Sequence, residues 1–499
     1  MCGIFACIPS NHAWLESAVE NMHQRGPDEM GILEINDVGI AVTRLSIADV
    51  NNGSQPLVSS TGDVVGVFNG AIYNTDELIR DYQLSPINNN DGAIALELYE
   101  RIGLAFSSLL EGMFAFILYD KRINRVVAVR DPIGIKPLFW TPNSNELVFS
   151  SSLSSIPKSL LNEVRSFTPG LSWSSTGEKV YSTIPMSSRL QLTESLQQSV
   201  SSQIPLEVNW GCMLSGGLDS SLICALAKEI TGKSFPVYTL YAGESTDIHS
   251  ARVLSESLEL DLNEVLVDEQ DILRGIHAVV LALGTYEVDL VINGLGAYFI
   301  AEAASRDGIK VLLTGEGADE LFAGYSQYYG LPAEQLNDTL IEHQHDLCVT
   351  ECKRLDAVTM AAGIEARVPY LSNKVIASAR VTNANEKIVV CKHEIIDKLC
   401  LREVAQQYLQ NSIAMRPKEP FLVGSGLDIL INNIAKRIRH NDVDEIERNR
   451  FELESATEVW VYSIWKKYYF SMSSGKRDMK RRGLARRIGR SLSPEAVIF

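Results

Sequence analysis

Beyond residue 190 the chain alternates short apolar runs with longer amphipathic stretches, and that alternation restricts its fold more than any other feature. Apolar runs at 208–214, 236–240 and 311–314 are followed by helical periodicity, over 220–231, over 248–258 and after 314. Parallel strands need a crossover between them, so a repeat of this kind predicts a parallel sheet with helices on its faces. Before about residue 185 the texture differs. Short β-like runs occupy 64–69, 113–120, 125–129 and 147–150, separated by turn residues such as Asn124, Pro132-Ile133-Gly134 and Pro142-Asn143. These predict layered antiparallel sheets, which helical stretches at 17–23 and 91–102 would cover. The Ser-, Thr- and Pro-containing segment 181–189 reads as a linker.

At 499 residues, 45% hydrophobic and 21% charged, the chain can bury several cores. Its formal charge of −17 argues against general nucleic-acid binding, which needs basic surface against phosphates. The eight cysteines (2, 7, 212, 224, 348, 352, 391 and 400) lack the spacing of a small disulfide domain. No charged-then-apolar leader precedes Cys2, so a cytoplasmic, reducing location is expected. No uninterrupted apolar run reaches the roughly 18 residues of a spanning helix, the nearest being the interrupted segment 276–300. A membrane role is therefore not expected. The stretch 475–490 is crowded with lysine and arginine and reads as a solvated tail over 471–499.

Cys2 stands directly behind Met1, in Cys2-Gly3-Ile4-Phe5. Removing Met1 would leave a thiol and a free α-amine on one residue. Those groups titrate near about 8.5 and about 7.7–8.0, so near neutrality they can exchange a proton, and the thiolate is the attacking species. Downstream follow Gln24-Arg25-Gly26-Pro27-Asp28, Arg44-Leu45-Ser46-Ile47, Asn69-Gly70-Ala71-Ile72-Tyr73-Asn74 and Asp91 at a helix start. Together these resemble the class II, amino-terminal-nucleophile, glutamine amidotransferases over about residues 2–185. The resemblance implies that Cys2 attacks the side-chain amide of glutamine, forming a thioester and releasing ammonia. The Asn69 amide and the Gly70 N–H then form a suitable donor pair for the oxyanion. Arg44 can take the glutamine α-carboxylate and Asp91 the α-ammonium. Ile47 belongs to the same implied glutamine pocket. Ala71 departs from the family, which usually carries glutamate there, and predicts weaker glutamine affinity.

At the first strand-to-helix junction of the second half stands Leu214-Ser215-Gly216-Gly217-Leu218-Asp219-Ser220-Ser221. Glycines, hydroxyls and helix-start N–H groups make a cradle for phosphate oxygens. The loop lacks the Gly-Lys-Ser ending of a Walker loop, so β,γ-cleavage is not the natural inference. It resembles the ATP pyrophosphatases, which cleave between α- and β-phosphates. A second junction carries Thr314-Gly315-Glu316-Gly317-Ala318-Asp319-Glu320. Clustered carboxylates repel unless a cation sits among them, which makes Asp219 and Asp319 candidates for Mg²⁺. Glu316 would face the reacting carboxyl, and Lys418 would stabilise charge on the phosphates.

With the motif Gly363-Ile364-Glu365-Ala366-Arg367-Val368-Pro369-Tyr370-Leu371, these segments resemble the synthetase domain of glutamine-hydrolysing asparagine synthetases over about 186–470. The implied fold is an α+β amino-terminal-nucleophile sandwich followed by an α/β, Rossmann-like ATP-pyrophosphatase domain. The implied ATP contacts are Leu214, Ser215, Gly216, Gly217, Asp219, Ser220, Leu240, Thr314 and Gly315. The implied substrates are glutamine, aspartate and ATP, with adenylated aspartate converted to asparagine and AMP, and the implied assembly is a homodimer. Two departures leave another carboxylate acceptor open. The substrate loop reads Val291-Ile292-Asn293-Gly294-Leu295-Gly296 without the family's arginine, and Ser372 replaces an aspartate. His343, His345, Cys348 and Cys352 read as an ordinary helical segment rather than as a zinc site.

Overall fold

The computed structural model describes residues 1–142, 145–186, 190–391, 394–438 and 443–469. The basic tail and the centre of the linker fall outside them. In the first half, two antiparallel six-stranded sheets form. One runs in the order Arg165–Ser166, Phe139–Trp140, Leu147–Ser150, Cys2–Ile8, Val38–Arg44, Glu29–Ile35. The other runs Lys179–Tyr181, Leu171–Ser174, Arg125–Arg130, Gly112–Asp120, Val64–Ile72, Leu57–Val58.

Alternation along each strand explains the stacking, since successive side chains point to opposite faces. Ile4, Ala6, Ile40 and Val42 face Val65, Val67, Ala115 and Ile117 to form the core between the sheets. Phe5, Cys7 and Ala41 point the other way and meet Leu15, Ala18 and Met22 of helix His12–Met22. On the far side, Phe68 and Phe116 pack against Ile94 and Leu98 of helix Asp91–Ile102. Sequence periodicity predicts the first helix only from residue 17. It starts earlier because Asn11 caps it, its side chain accepting the Trp14 N–H at 3.2 Å.

The second half forms a five-stranded sheet, ordered Asp261–Leu266, Pro236–Tyr241, Trp210–Met213, Val311–Leu313, Glu365–Arg367. Every neighbour pair is parallel. From Trp210–Met213 the chain moves first to one side of the sheet and later to the other, which opens a crevice at the carboxyl ends of the two central strands. The fold class expected from the sequence is thus the one observed.

The apolar stretch 276–300 is two helices, Glu269–Leu283 and Val288–Arg306, broken at Gly284 in a left-handed backbone. Val288–Arg306 is long and apolar enough to cross a membrane, yet 67% of it is buried inside this domain. The Val291-to-Gly296 motif, expected as a loop, lies inside that helix. Asn293 Nδ2 donates to Asp289 O at 2.8 Å, one turn back, while Val291 and Leu295 enter the core.

The two halves meet through buried charge. Arg25 Nη1 lies 2.9 Å and Lys136 Nζ 3.3 Å from the carboxylate of Asp356. Lys310 Nζ lies 2.5 Å from Asp28. The Arg25-Gly26-Pro27-Asp28 motif therefore holds the second domain through both of its charges.

Candidate active sites

The first site forms where strand Cys2–Ile8 of one sheet faces strand Val64–Ile72 of the other. The Cys2 backbone N–H donates to Asn69 Oδ1 at 3.1 Å. Asn69 is fully buried, and its Nδ2 has no hydrogen-bond partner among the described residues. Gly70 is required by close approach, because a Cβ there would run into the Met113 carbonyl. Burial pushes the Cys2 thiol up, against the pull of the Met1 ammonium and of Arg44.

Gln55, which sequence reasoning missed, donates from Nε2 to Cys2 Sγ at 3.1 Å. The same amide holds Phe68, donating to its carbonyl at 3.0 Å and accepting its N–H at 2.8 Å. Nothing in the local sequence marks Gln55, since its role depends on strand neighbours.

Arg44 pairs in register with Cys2 across the sheet. Its guanidinium lies 2.5 Å from Glu29 and donates to the carbonyls of Ala48 and Asp49 at 3.2 and 2.9 Å. The position expected for a glutamine carboxylate on Arg44 is thus taken by Glu29, which is 35% exposed. Asp91 accepts the Ile72 N–H at 2.8 Å. Burial raises its carboxyl from 3.8 to about 6, only partly offset by that hydrogen bond. Ile47 is buried with Met1, Leu45 and Met360 against the second domain. Ala71 packs among Met113, Ile133 and Ile135. A glutamate there would have to bury its charge among apolar groups.

The second site occupies the crevice at the sheet's carboxyl edge. After strand Trp210–Met213, Leu214 N–H donates to Tyr238 O at 2.8 Å, and the loop turns into helix Leu218–Thr231. The Ser215 and Ser220 hydroxyls are 3.0 Å apart. Gly216 O accepts from Arg416 at 2.8 Å, and Gly217 caps the helix. Gly315 brings the second loop against the first: a Cβ on it would come within 2.8 Å of Ser220 N. The Thr314 hydroxyl donates to Arg367 O at 3.2 Å. Leu240 lies near the end of its strand with its side chain buried in the core.

Asp219 and Asp319 are brought together by a residue that sequence reasoning missed. Lys398 Nζ lies 2.6 Å from Asp219 Oδ2 and 2.6 Å from Asp319 Oδ1. Lys398 is 2% exposed and sits at φ 51°, left-handed backbone that costs a non-glycine residue roughly 1 kcal/mol or more. Lys418 lies 2.7 Å from Asp319 Oδ2. Burial alone would raise Asp319, but the two lysines outweigh it and hold the carboxyl at about 2. Both carboxylates expected to hold a cation converge instead on the Lys398 ammonium, which occupies the point between them. Among the described residues no cluster of three or more potential metal ligands occurs, so other ligands would have to come from phosphate or water.

Glu316 is raised by burial against the pull of Arg354, 2.5 Å away. Its neighbour Glu320 is raised to about 8 by burial and by Glu351 and Asp319. Lys398, Arg402, Arg416 and Lys418 line the pocket beside Ser215 and Gly217, interleaved with the carboxylates of Asp219, Asp247, Asp397 and Glu419; Lys398 pairs with Asp219, Arg402 with Asp397 and Arg416 with Asp247. His343 Nδ1 pairs with the Tyr328 hydroxyl at 2.5 Å, whereas Cys352 packs in the central core.

The chain matches the glutamine amidotransferase domain family over residues 1–175 and the asparagine synthase family over 191–340 and 331–471. It is 30% identical to asparagine synthetase B [glutamine-hydrolyzing] of Escherichia coli K12, with 88% of this chain and 85% of that protein covered. To asparagine synthetase [glutamine-hydrolyzing] 1 of Saccharomyces cerevisiae it is 29% identical, covering 85% of each. To asparagine synthetase [glutamine-hydrolyzing] of Asparagus officinalis it is 30% identical, covering 88% of this chain and 80% of that protein. On the extent of these matches over both halves, the chain belongs to the glutamine-hydrolysing asparagine synthetase family.

Proposed function

We propose that this chain makes asparagine from aspartate, ATP and glutamine, with residues 2–185 supplying ammonia and 186–470 consuming it. The observation that carries the reading is the buried, unpartnered Nδ2 of Asn69 beside the Cys2 nitrogen, a donor set for an oxyanion that only a substrate supplies.

Once Met1 is removed, the Cys2 thiol passes its proton to its own α-amine and attacks the glutamine carboxamide carbon. The oxyanion meets Asn69 Nδ2 and the Gly70 N–H. Collapse breaks the C–N bond, and ammonia leaves with the proton from the amine. Water then hydrolyses the thioester to glutamate and restores the thiol. Arg44 and Asp91 hold the two charged ends of the amino acid.

In the second site the aspartate side-chain carboxylate attacks the α-phosphorus of ATP and pyrophosphate leaves. Leu214, Ser215, Gly216, Gly217, Ser220, Leu240, Thr314 and Gly315 surround the nucleotide in this reading. Lys418 and Lys398 bear on the departing charge. Asp219 and Asp319 would hold Mg²⁺, which neutralises pyrophosphate. Ammonia attacks the acyl carbon, AMP departs, and Glu316 takes a proton from the new amide nitrogen. The buried contact of Arg25, Lys136 and Asp356 between the halves supports transfer without release to water.

The seven described cysteines are all free thiols, which supports a reducing compartment such as the cytosol. Assembly as a homodimer, without nucleic acid or membrane, belongs to the same reading; light scattering of the purified chain tests it. The activity test is pyrophosphate release across a panel of amino-acid acceptors. Release is expected with aspartate, from either glutamine or ammonium, and Cys2→Ala keeps only the ammonium-dependent rate. Release with another acceptor but not with aspartate overturns the assignment.

A further inference from the structure

Arg402 stands in the wall of the second site, where a guanidinium would ordinarily be read as a phosphate ligand, yet its donors are already engaged. A guanidinium carries five N–H groups in one planar fork. Nε of Arg402 donates to Asp397 O at 2.7 Å and Nη2 to Asp397 Oδ1 at 2.5 Å. Nη1 donates to both Ala414 O and Arg416 O at 2.9 Å. The residue is 4% exposed, so these bonds form away from competing water.

One end of the fork grips the residue before Lys398. Lys398 starts helix Leu399–Ala405 in left-handed backbone, which a lysine keeps only where its surroundings over-determine it. Arg402 reaches back one turn and fixes the carbonyl of the peptide that joins Asp397 to Lys398. The Tyr329 hydroxyl donates to the other carboxylate oxygen of Asp397 at 3.0 Å. From there the Lys398 side chain runs past Gly324, where a Cβ would run into its Cε, to Asp219 and Asp319. The other end of the fork grips the turn that carries Lys418. Arg416 in that turn donates from its side chain to Gly216 O at 2.8 Å, and Lys418, two residues on, lies 2.7 Å from Asp319 Oδ2. A single side chain therefore ties together the backbone supports of both lysines that meet on Asp319.

We propose that Arg402 is a positioning residue for the phosphate chemistry of the second site, setting the reach of Lys398 and Lys418 together while touching no substrate itself. The inference rests on the ATP reaction proposed above. A lysine at 402 keeps the charge but cannot donate in one plane to Asp397, Ala414 and Arg416, so the geometry of the fork is what the site requires.

Hydrogen exchange on the full chain tests the clamp without turnover, so its result stands whether or not the proposed reaction does. The amide of Arg402, bonded to Lys398 O at 2.9 Å, and those of Met415 and Arg416, bonded to Asn411 O and Ile413 O at 2.9 and 3.1 Å, report the two ends. In Arg402→Lys both ends are expected to exchange at least tenfold faster, with strand Cys2–Ile8 unchanged. Aspartate- and ATP-dependent pyrophosphate release at saturating ATP is expected to slow at least tenfold, with the glutaminase rate unaltered. In a Lys398→Met background the same substitution is expected to slow release less than threefold, because the lysine it positions is gone; a merely structural role gives equal losses in both backgrounds. Asp397→Asn keeps the shape of its side chain, and a smaller loss with the same background dependence is expected from it should Arg402→Lys fold poorly. Faster exchange at one end alone, unchanged pyrophosphate release, or equal losses in the two backgrounds overturns the proposal.

Discussion

Asn69 Oδ1 accepts the Cys2 backbone N–H at 3.1 Å, while Nδ2 of the same buried side chain donates to no group among the described residues. The first contact fixes the amide's orientation, and the second leaves a buried donor on the side chain that holds the Cys2 nitrogen. A buried polar group without a partner costs about 1–3 kcal/mol, which a bound oxyanion offsets.

Replacing Asn69 with alanine removes that donor. The kcat for glutamine hydrolysis is expected to fall about 10²–10³-fold, while ammonium-dependent pyrophosphate release stays at the wild-type rate. Steady-state assays of both half-reactions on one preparation check the split, and an equal loss in both would point to damage to the fold.

Met1 decides whether the first site works at all. With Met1 attached, its ammonium lies 3.4 Å from Glu365 and donates to Leu45 O at 3.0 Å, and the Cys2 nitrogen is an amide with no basic lone pair. Protein that retains Met1 is expected to show ammonium-dependent but no glutamine-dependent synthesis. Intact mass paired with activity across partially processed fractions measures this.

Asp91 imposes a pH limit on glutamine use. Its carboxyl is raised by burial from 3.8 to about 6, and only the ionised form pairs an ammonium. The kcat/KM for glutamine is therefore expected to fall as pH drops through about 6, since that ratio reports the free enzyme. Asp91→Asn should raise KM and flatten this limb. The effect on stability runs the other way. The folded chain holds this proton more tightly than the unfolded one, so ionising Asp91 above about 6 costs stability, and the cost disappears as pH falls from about 6 to below 3.8.

Lys398 holds two carboxylates apart from mutual repulsion. Lys398→Met leaves Asp219 and Asp319 facing each other, and breaking a buried ion pair of this kind costs about 3–5 kcal/mol. A lower Tm, a roughly 10²-fold slower pyrophosphate release and an unaltered glutaminase rate are expected. Added Mg²⁺ should restore part of the Tm in the variant, because a divalent cation can bridge the same two groups. Calorimetry with and without Mg²⁺ reads this directly.

Asp356 joins the halves, so Asp356→Ala strands Arg25 and Lys136 as buried, unmatched cations. The expected result is a loss of about 3–5 kcal/mol and ammonia escaping to solvent. The ratio of glutamate to pyrophosphate formed would then rise above that of the wild type.

Short-range chemistry was legible in the chain from the start. Strand Leu147–Ser150 and helix Asp91–Ile102 emerge at the boundaries their periodicity and turns predict, and the strand-helix alternation yields the parallel sheet. Both glycine-bearing strand-to-helix loops could be read because glycines, hydroxyls and carboxylates lie within a few residues of one another. Resemblance misled where burial overrode it. Val291 to Gly296 was expected as a loop from the family resemblance, but its apolar residues pack into the core as helix. Other features had no local trace. Lys398 reaches Asp219 across 179 positions, Gln55 meets Cys2 across 53, and Lys136 meets Asp356 across 220. Periodicity and turn chemistry act over a handful of neighbouring residues, whereas a lysine bridging two carboxylates exists only once three separate helix starts, far apart in the chain, have been brought to one point by the packing of the domain.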